Sequence, residues 1–470
     1  MIHWLKTALT VSAVSFLAAC GGGDDHPTNT TPSQNIVQLA QAQNLTALTA
    51  AATKAGLVDT LSSPTAKLTV FAPTDAAFNT LATQLGFANA TALVNALPGS
   101  ALANILTYHV LGTEKRAADL VAGGPTQATL YSFSGSATTL ALNTTSGVKI
   151  TDSVLTQATV TTADARASNG VVHIIDKVLI PPGVLNAVQT AQVNPIFSGL
   201  VAAVTKAGLA STLSAATPNL TVFAPTNTAF NTLATRLGFA DATALVNALP
   251  PTALANILTY HVLGSQKTAA DLASGGATQA TLYSFGGSPT TLALNTTSGV
   301  KITDAILTEA TVTAANVRAG NAVIHVIDKV LIPPGVLNIV QTAQANPAFS
   351  TLVGAVASAN LVTTLSGAGP FTVFAPTNDA FAAIASTVAG LTPPQLSTVL
   401  TYHVLGSQVL STQIPFGTAV NTVANQTITI NNSPLRITDK TATPAPIVAT
   451  DVRASNGVIH VISKVLIPAL

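Results

Sequence analysis

The string Thr-Val-Phe-Ala-Pro-Thr occurs three times, at 69–74, 221–226 and 372–377, and no other feature of the 470-residue chain limits its fold as much. Two more strings return in the same order. Thr-Tyr-His-Val-Leu-Gly stands at 107–112, 259–264 and 401–406, and a Val-[Val/Ile]-His-[Ile/Val]-Ile string after Gly or Ala stands at 170–175, 322–327 and 457–462. The spacings are 152 and 151 for the first string, 152 and 142 for the second, 152 and 135 for the third. A period near 150 is far above the roughly 20–50 residues of solenoids and is long enough for a domain with its own core. Residues 126–151 and 278–303 differ only at Ser134/Gly286 and Ala137/Pro289, as in a recent internal duplication. The third copy is shorter by about ten residues before its Tyr-His string and by about seven after it. The predicted domains are 34–182, 183–334 and 335–470.

Within one copy the helical signals come first. Leu45–Ala55 is apolar at Leu45, Leu48 and Ala52 and is followed by Gly56, a suitable residue just past a helix end. Lys67–Ala72 is a short β-rich run stopped by Pro73. Thr74 can cap a helix over Asp75–Gln84, with Asp75 complementing the N-terminal dipole. Ser100–Thr107 predicts a further helix. Thr-rich strands are predicted at Gln127–Tyr131, Thr138–Leu142, Gly147–Thr151 and Ala158–Thr162. A long apolar strand is predicted over Val171–Ile180. Helices first and strands later imply an α+β domain with a largely antiparallel sheet. Pro181-Pro182-Gly183 and Pro333-Pro334-Gly335 leave little linker, so the domains are expected to form a semi-rigid row.

Charge narrows the function. Only 7% of residues are charged, and 18 basic residues face 17 acidic ones. Nucleic acid is excluded as a partner, because no basic face exists to neutralise phosphates. One cysteine, Cys20, excludes disulfide scaffolds and thiol pairs. Neither glutamate (Glu114, Glu309) follows a histidine, and no G-x-S-x-G elbow or phosphate loop is present. No enzymatic activity and no cofactor are expected.

The N-terminus resembles a lipoprotein leader. Lys6 precedes the apolar stretch Ala8–Ala19, which at 12 residues is too short to span a bilayer. It ends in Leu17-Ala18-Ala19-Cys20, which resembles the lipobox of bacterial lipoproteins. That resemblance implies a signal peptide over 1–19, lipidation of Cys20, and a flexible Gly/Thr/Pro-rich tether over 20–33. It also implies an exported protein anchored to the bacterial envelope. Gly21 stands where an Asp would mark inner-membrane retention, which points to the outer membrane.

The three ordered strings, each Thr-Val-Phe-Ala-Pro-Thr followed by a helix bearing Phe78, Phe230 or Phe381, resemble the fasciclin (FAS1) domain. The resemblance covers nearly all of 34–470. It implies three tandem FAS1-like domains, each a wedge or sandwich of short, mostly antiparallel strands packed with several helices. It also implies extracellular adhesion through multivalent contacts. The partners it suggests are an envelope or matrix component, polysaccharide or protein, or other FAS1 domains. The alternative from another class is an envelope carrier of a small apolar ligand; an unrecognised hydrolase is the third reading.

Six of the eight histidines fall in the repeated strings. Tyr108-His109, Tyr260-His261 and Tyr402-His403 form the Tyr-His motif, read either as a fold element or as a partner-binding site. His173, His325 and His460 sit among Val and Ile and are read as structural, hydrogen-bonded histidines. No metal site is expected, because two histidines per copy fall short of the three or four ligands zinc needs. Asp152, Asp304 and Asp439 are read as turn residues. Ala322 replaces Gly170 and Gly457 in the second copy, which carries a cost if that position needs a positive φ.

Overall fold

The computed structural model describes residues 32–216 and 219–470, so Cys20, the leader and nearly all of the tether lie outside the described residues. Repeat 1 begins with three helices: α1 (Ile36–Ala42), α2 (Thr46–Lys54) and α3 (Val58–Ser62). Then come β1 (Leu68–Pro73), α4 (Asp75–Gln84), α5 (Ala90–Ala96), α6 (Gly99–Tyr108), β2 (Val110–Leu111) and α7 (Ala117–Ala122). Five strands close the repeat: β3 (Thr126–Phe133), β4 (Ser136–Asn143), β5 (Lys149–Thr151), β6 (Gln157–Ala167) and β7 (Gly170–Ile175). Thr74 caps α4 as expected, its side chain accepting from Ala77 N. Gly56 has φ +69, a conformation glycine adopts without the steric penalty of a Cβ.

Each repeat is built on a seven-stranded sheet, ordered β2-β1-β7-β6-β5-β4-β3 in repeat 1 and in the same way in the other two. All pairings in repeat 1 are antiparallel except β1 with β7, where Leu68 to Pro73 lie in parallel register with Gly170 to Ile175. These two strands are buried at every position, so their alternating side chains supply two cores. Val70, Ala72 and Val172 face the helices with Phe78, Leu93, Leu102 and Ile105. Phe71 and Ile175 face the other way, with Tyr108, Leu120, Tyr131, Leu140 and Ile150. The family of mixed α+β domains expected from helix-then-strand order is the one observed.

Two local expectations are corrected, and the shortened repeat 3 departs from the other copies. The last strand stops at Ile175 rather than running to Ile180. Beyond it the backbone donates to side chains instead of a ladder: Leu179 N to His109 Nε2 at 2.9 Å and Ile180 N to Asp152 Oδ2 at 2.9 Å. Gly170 is not required for a positive φ. What it avoids is a clash: a Cβ there would lie 2.2 Å from Leu68 O and 3.1 Å from Ile36 Cδ1. In repeat 3 the stretch 378–389 forms two five-residue helices, Asn378–Ala382 and Ala385–Ala389, in place of the longer α4 and α5.

Successive repeats meet through one recurring junction. The first helix of repeat 2 (Ala187–Val193) packs against α4, and its follower Asn194 donates from Nδ2 to Val154 O of repeat 1 at 2.9 Å. Asn346 makes the same bond to Ile306 O at 2.8 Å between repeats 2 and 3. Tyr131 and Tyr283 donate their hydroxyls to Pro182 O and Pro334 O, each at 3.1 Å. Gly183 and Gly335 follow with φ +81 and +77, and a Cβ on either would fall within 2.3 Å of the Phe133 or Phe285 ring. At the second junction the Arg453 guanidinium sits 5.8 Å from the centre of the Phe285 ring.

Candidate functional site

The Tyr-His motif lies where α6 ends. His109 is the residue just past the last helical position and is 1% exposed. Its Nδ1 lies 2.7 Å from Ile105 O, four residues back on the same helix, and its Nε2 accepts from Leu179 N at 2.9 Å. That pattern assigns the proton to Nδ1 and a neutral ring. Burial holds the imidazole down to about 4, although the bond to Ile105 O acts the other way. His261 and His403 repeat the geometry, bridging Ile257 O to Leu331 N and Val399 O to Leu466 N, and burial likewise holds each to about 4.

Tyr108, Tyr260 and Tyr402 are among the largest fully buried side chains. Tyr108 stands edge-on to Tyr131, ring centres 6.2 Å apart, and donates its hydroxyl to Thr139 O at 3.3 Å. Tyr260 does the same with Tyr283 and Thr291 O. Tyr402 donates to Thr427 O at 2.8 Å. Burial pushes all three phenols up; for Tyr402 the value is about 12.

His173, His325 and His460 lie on the parallel strand pair and are fully buried. Each ring packs on the phenylalanine opposite, Phe71, Phe223 or Phe374, with centres 5.6–5.7 Å apart. Nε2 of each meets a backbone carbonyl: Lys115 O, Lys267 O and Val409 O. His173 Nδ1 and His460 Nδ1 accept from Asp164 N and Asp451 N, while His325 Nδ1 has no partner among the described residues. Desolvation lowers all three rings. The paired histidines of a repeat therefore spend their ring nitrogens on separate backbone groups. Among the described residues no three His, Cys, Asp or Glu side chains converge.

The buried aspartates were read only as turn residues, and they do more. Asp152 Oδ1 accepts from Val154 N and Thr156 N, and its Oδ2 accepts from Thr156 Oγ1 and Ile180 N, all within 3.1 Å. It fastens the turn before β6 to the end of the repeat. Asn169 has a role that the sequence does not announce. Its Oδ1 accepts from Ile36 N, and its Nδ2 donates to Leu61 O and Ser63 O, pinning the first helices to the last hairpin. Nothing in the composition or the three repeated strings marks Asn194 and Asn346 at the junctions. Their signal was an Asn-Pro pair, at 194–195 and 346–347, that opens the second and third copies and not the first.

Apolar cavities occur beneath the first helices of repeats 2 and 3, edged by His261 and His403 respectively. They hold about 40 and 30 Å³, room for about one water and an order of magnitude below the roughly 300 Å³ at which small-molecule sites begin. No single described helix is long and apolar enough to cross a membrane.

A seven-stranded sheet with one parallel pair, most of its helices on one face and a buried Tyr-His corner, repeated in tandem, defines the class. The family model for the fasciclin domain matches residues 43–181, 195–333 and 347–468, and the chain belongs to the fasciclin family. Protein sll1483 of Synechocystis sp. is 45% identical over 139 residues, 28% of this chain and 75% of that protein. Transforming growth factor-beta-induced protein ig-h3 of Sus scrofa is 27% identical over 482 residues, 99% of this chain; the chain spans 63% of that relative's length. A solved FAS1 domain pair from the insect cell adhesion molecule fasciclin I covers 63% of this chain and 95% of its own, at 16% identity and a TM-score of 0.32.

Proposed function

We propose that the chain is an exported, lipid-anchored adhesion protein whose three fasciclin domains bind a component of the cell envelope or matrix. Binding, not turnover, is the mechanism. The observation that carries this reading is the repeated junction. Asn194 and Asn346 hold successive domains by the same bond, so equivalent surfaces recur at a fixed interval. A weak contact made by several held copies gains through effective concentration. The Tyr-His pairs act in this reading as struts of the fold, since a partner reaching Tyr108 or His109 would have to open the core. The carrier reading is disfavoured by cavities of about 40 Å³. With so few charges, contacts made by hydroxyls, amides and apolar atoms are expected to depend weakly on salt.

The anchor is a separate part of the proposal. Cys20 carries it, because two or more acyl chains hold stably where one is marginal. The test uses the full chain. Wild-type protein is expected to partition into detergent and to carry the acyl mass, and Cys20→Ala to lose both. The unlipidated Cys20→Ala chain, immobilised, is expected to capture whole cells at low and high salt alike. Lipidation surviving in Cys20→Ala would sink the anchor, and failure to capture cells would sink the adhesion reading.

A further inference from the structure

Away from the Tyr-His corner, α2, α4 and α5 enclose an open groove of about 410 Å³ in repeat 1, lined by both polar and apolar groups. The corresponding helices of repeat 2, Ser198–Lys206, Asn227–Arg236 and Ala242–Ala248, enclose one of about 310 Å³. Both volumes lie within the roughly 300–1,000 Å³ of small-ligand sites. The floor is made of small residues, Ala47, Ala50 and Ala90 in one copy and Gly199, Ala202 and Ala242 in the other. The walls carry amides and hydroxyls: Asn79, Thr91 and Asn95, matched by Asn231, Thr243 and Asn247.

Hydrogen bonds fix what those walls offer. Asn79 Oδ1 accepts from Ala90 N at 2.8 Å, and Asn231 Oδ1 accepts from Ala242 N at 2.8 Å. Each amide is thereby oriented with its NH₂ as the free end, a donor pair. The charged side chains are partly engaged by the helices themselves. Asp75 accepts from Ala47 N and Thr46 Oγ1, and Asp241 caps its helix through Ala244 N. Lys54 Nζ donates to Val94 O and Asn95 O, and Lys206 Nζ to Val246 O and Asn247 O. What remains open is a concave surface of amides and hydroxyls with one carboxylate in each copy, Asp75 or Asp241, over a floor without bulky side chains.

We infer that this groove is a glycan subsite, present in repeats 1 and 2, that takes the hydroxyl-rich ring of a neutral polysaccharide. The inference rests on the adhesion reading and names the class of matrix component. Neutral sugars match it because their hydroxyls donate to and accept from such walls and donate to the carboxylate, which would repel an anionic sugar; no Lys or Arg lines either groove to offset that. No aromatic ring lines either groove, so a single site is weak, and two on one chain raise the avidity. Repeat 3 lacks the site: Ala382 stands where Asn79 and Asn231 stand, and Ala385–Ala389 replaces the seven-residue wall helix.

The test measures binding of the full chain to dextran, mannan and galactan and to whole cells. Ala50 and Ala202 are exposed helical positions, so Ala50→Leu with Ala202→Leu fills both floors without touching a core. Thr91→Val with Thr243→Val removes one hydroxyl per groove at constant shape. Wild type is expected to bind at least one of the three polysaccharides. The leucine pair is expected to bind at least tenfold more weakly, and the valine pair a few-fold more weakly, with unfolding midpoints unchanged. Gly354→Leu, at the equivalent point of repeat 3 where a Cβ meets open space, is expected to bind like wild type. Polysaccharide binding unaffected by the leucine pair would overturn the groove and leave adhesion standing. So would capture of cells without binding to any neutral polysaccharide. Binding to neither would take the adhesion reading down with it.

Discussion

Asp152 and Asp439 occupy the same place in repeats 1 and 3, in the turn before the long penultimate strand, and are held in opposite ways. Around Asp152 the donors are backbone amides and one hydroxyl, and burial wins: the carboxyl is pushed up to about 6. Asp304 in repeat 2 matches it. Asp439 is also desolvated, but Thr441, Ile467 N and the Lys464 ammonium, 2.9 Å away, together hold it below its ordinary value. Lys177 and Lys329 stand at the position of Lys464 in the other repeats, and Lys329 is turned instead toward Glu309 O. Domains with one fold and one core pattern thus differ in how a buried charge is balanced.

The difference bears on acid stability. His109, His261 and His403 have folded values near 4, depressed from 6.5. Their contribution is present above 6.5 and is lost as pH falls toward 4, because the unfolded chain then binds the extra proton. Asp152 and Asp304 run the other way. Their folded values are raised, so their contribution is fully present below about 3.8 and is lost as pH rises through about 6. Between pH 6 and 4 the two trends offset each other in repeats 1 and 2. In repeat 3 Asp439 offers no such offset, and its own contribution fades as pH falls below 3.8. Repeat 3 is therefore expected to unfold first on acidification. Amide exchange of the full chain from pH 7 to 4, corrected for intrinsic rates, is expected to show Ile459 and Val461 losing protection before Val172 and Ile324. Simultaneous loss in all three repeats would break the comparison.

A smaller effect separates repeat 2 from its neighbours. At Gly457 a Cβ would lie 2.1 Å from Phe371 O and 2.9 Å from Ile339 Cδ1, as at Gly170. Repeat 2 carries Ala322 at that position, and Ala187 replaces the isoleucine that would crowd it. Gly457→Ala is expected to destabilise repeat 3 by about 2–3 kcal/mol, since a backbone carbonyl has little room to yield. Ala322→Gly is expected to cost about 1 kcal/mol or less, the backbone entropy of glycine. Adding Ile339→Ala to Gly457→Ala sorts the two contacts in a denaturant titration. Full recovery would show that the glycine avoids the isoleucine; no recovery would assign the whole cost to the carbonyl.

These cases show what the sequence carries. The repeats, the Thr74 cap, the bounds of α4 and the existence of the β1 strand were legible, because each rests on local chemistry or on period. The early end of the last strand was not. Val178, Leu179 and Ile180 look like continuing strand, and only the fold reveals that His109 and Asp152, 70 and 28 residues away, take their amides. The departure at Ala322 was legible but the constraint at Gly170 was not, since Leu68 O and Ile36 Cδ1 reach it from across the sheet and from the first helix. The groove at Asn79 and the junction at Asn194 escaped for one reason. Asparagine is a common turn residue, and its role depends on which end of its amide is already bonded.

The last prediction returns to Asp439, where the expected change is below that at Gly457. Lys464→Met keeps the length of the side chain and removes the ammonium. Lys464 is 24% exposed and the Asp439 carboxylate 0%, so the pair lies between surface pairs worth about 0–1 kcal/mol and buried pairs worth several. The donors Ile467 N and Thr441 remain, so the carboxylate is not left bare. A loss of about 1–2 kcal/mol at pH 7 is expected on that footing. The sharper readout is its pH dependence. Without the ammonium, burial dominates as it does at Asp152, the carboxyl moves up, and repeat 3 regains the offset it lacked. The stability gap between Lys464→Met and wild type is then expected to narrow as pH falls from 7 toward 4. A gap that stays constant would mean that Lys464 acts through packing, and that the third repeat's acid sensitivity has another source.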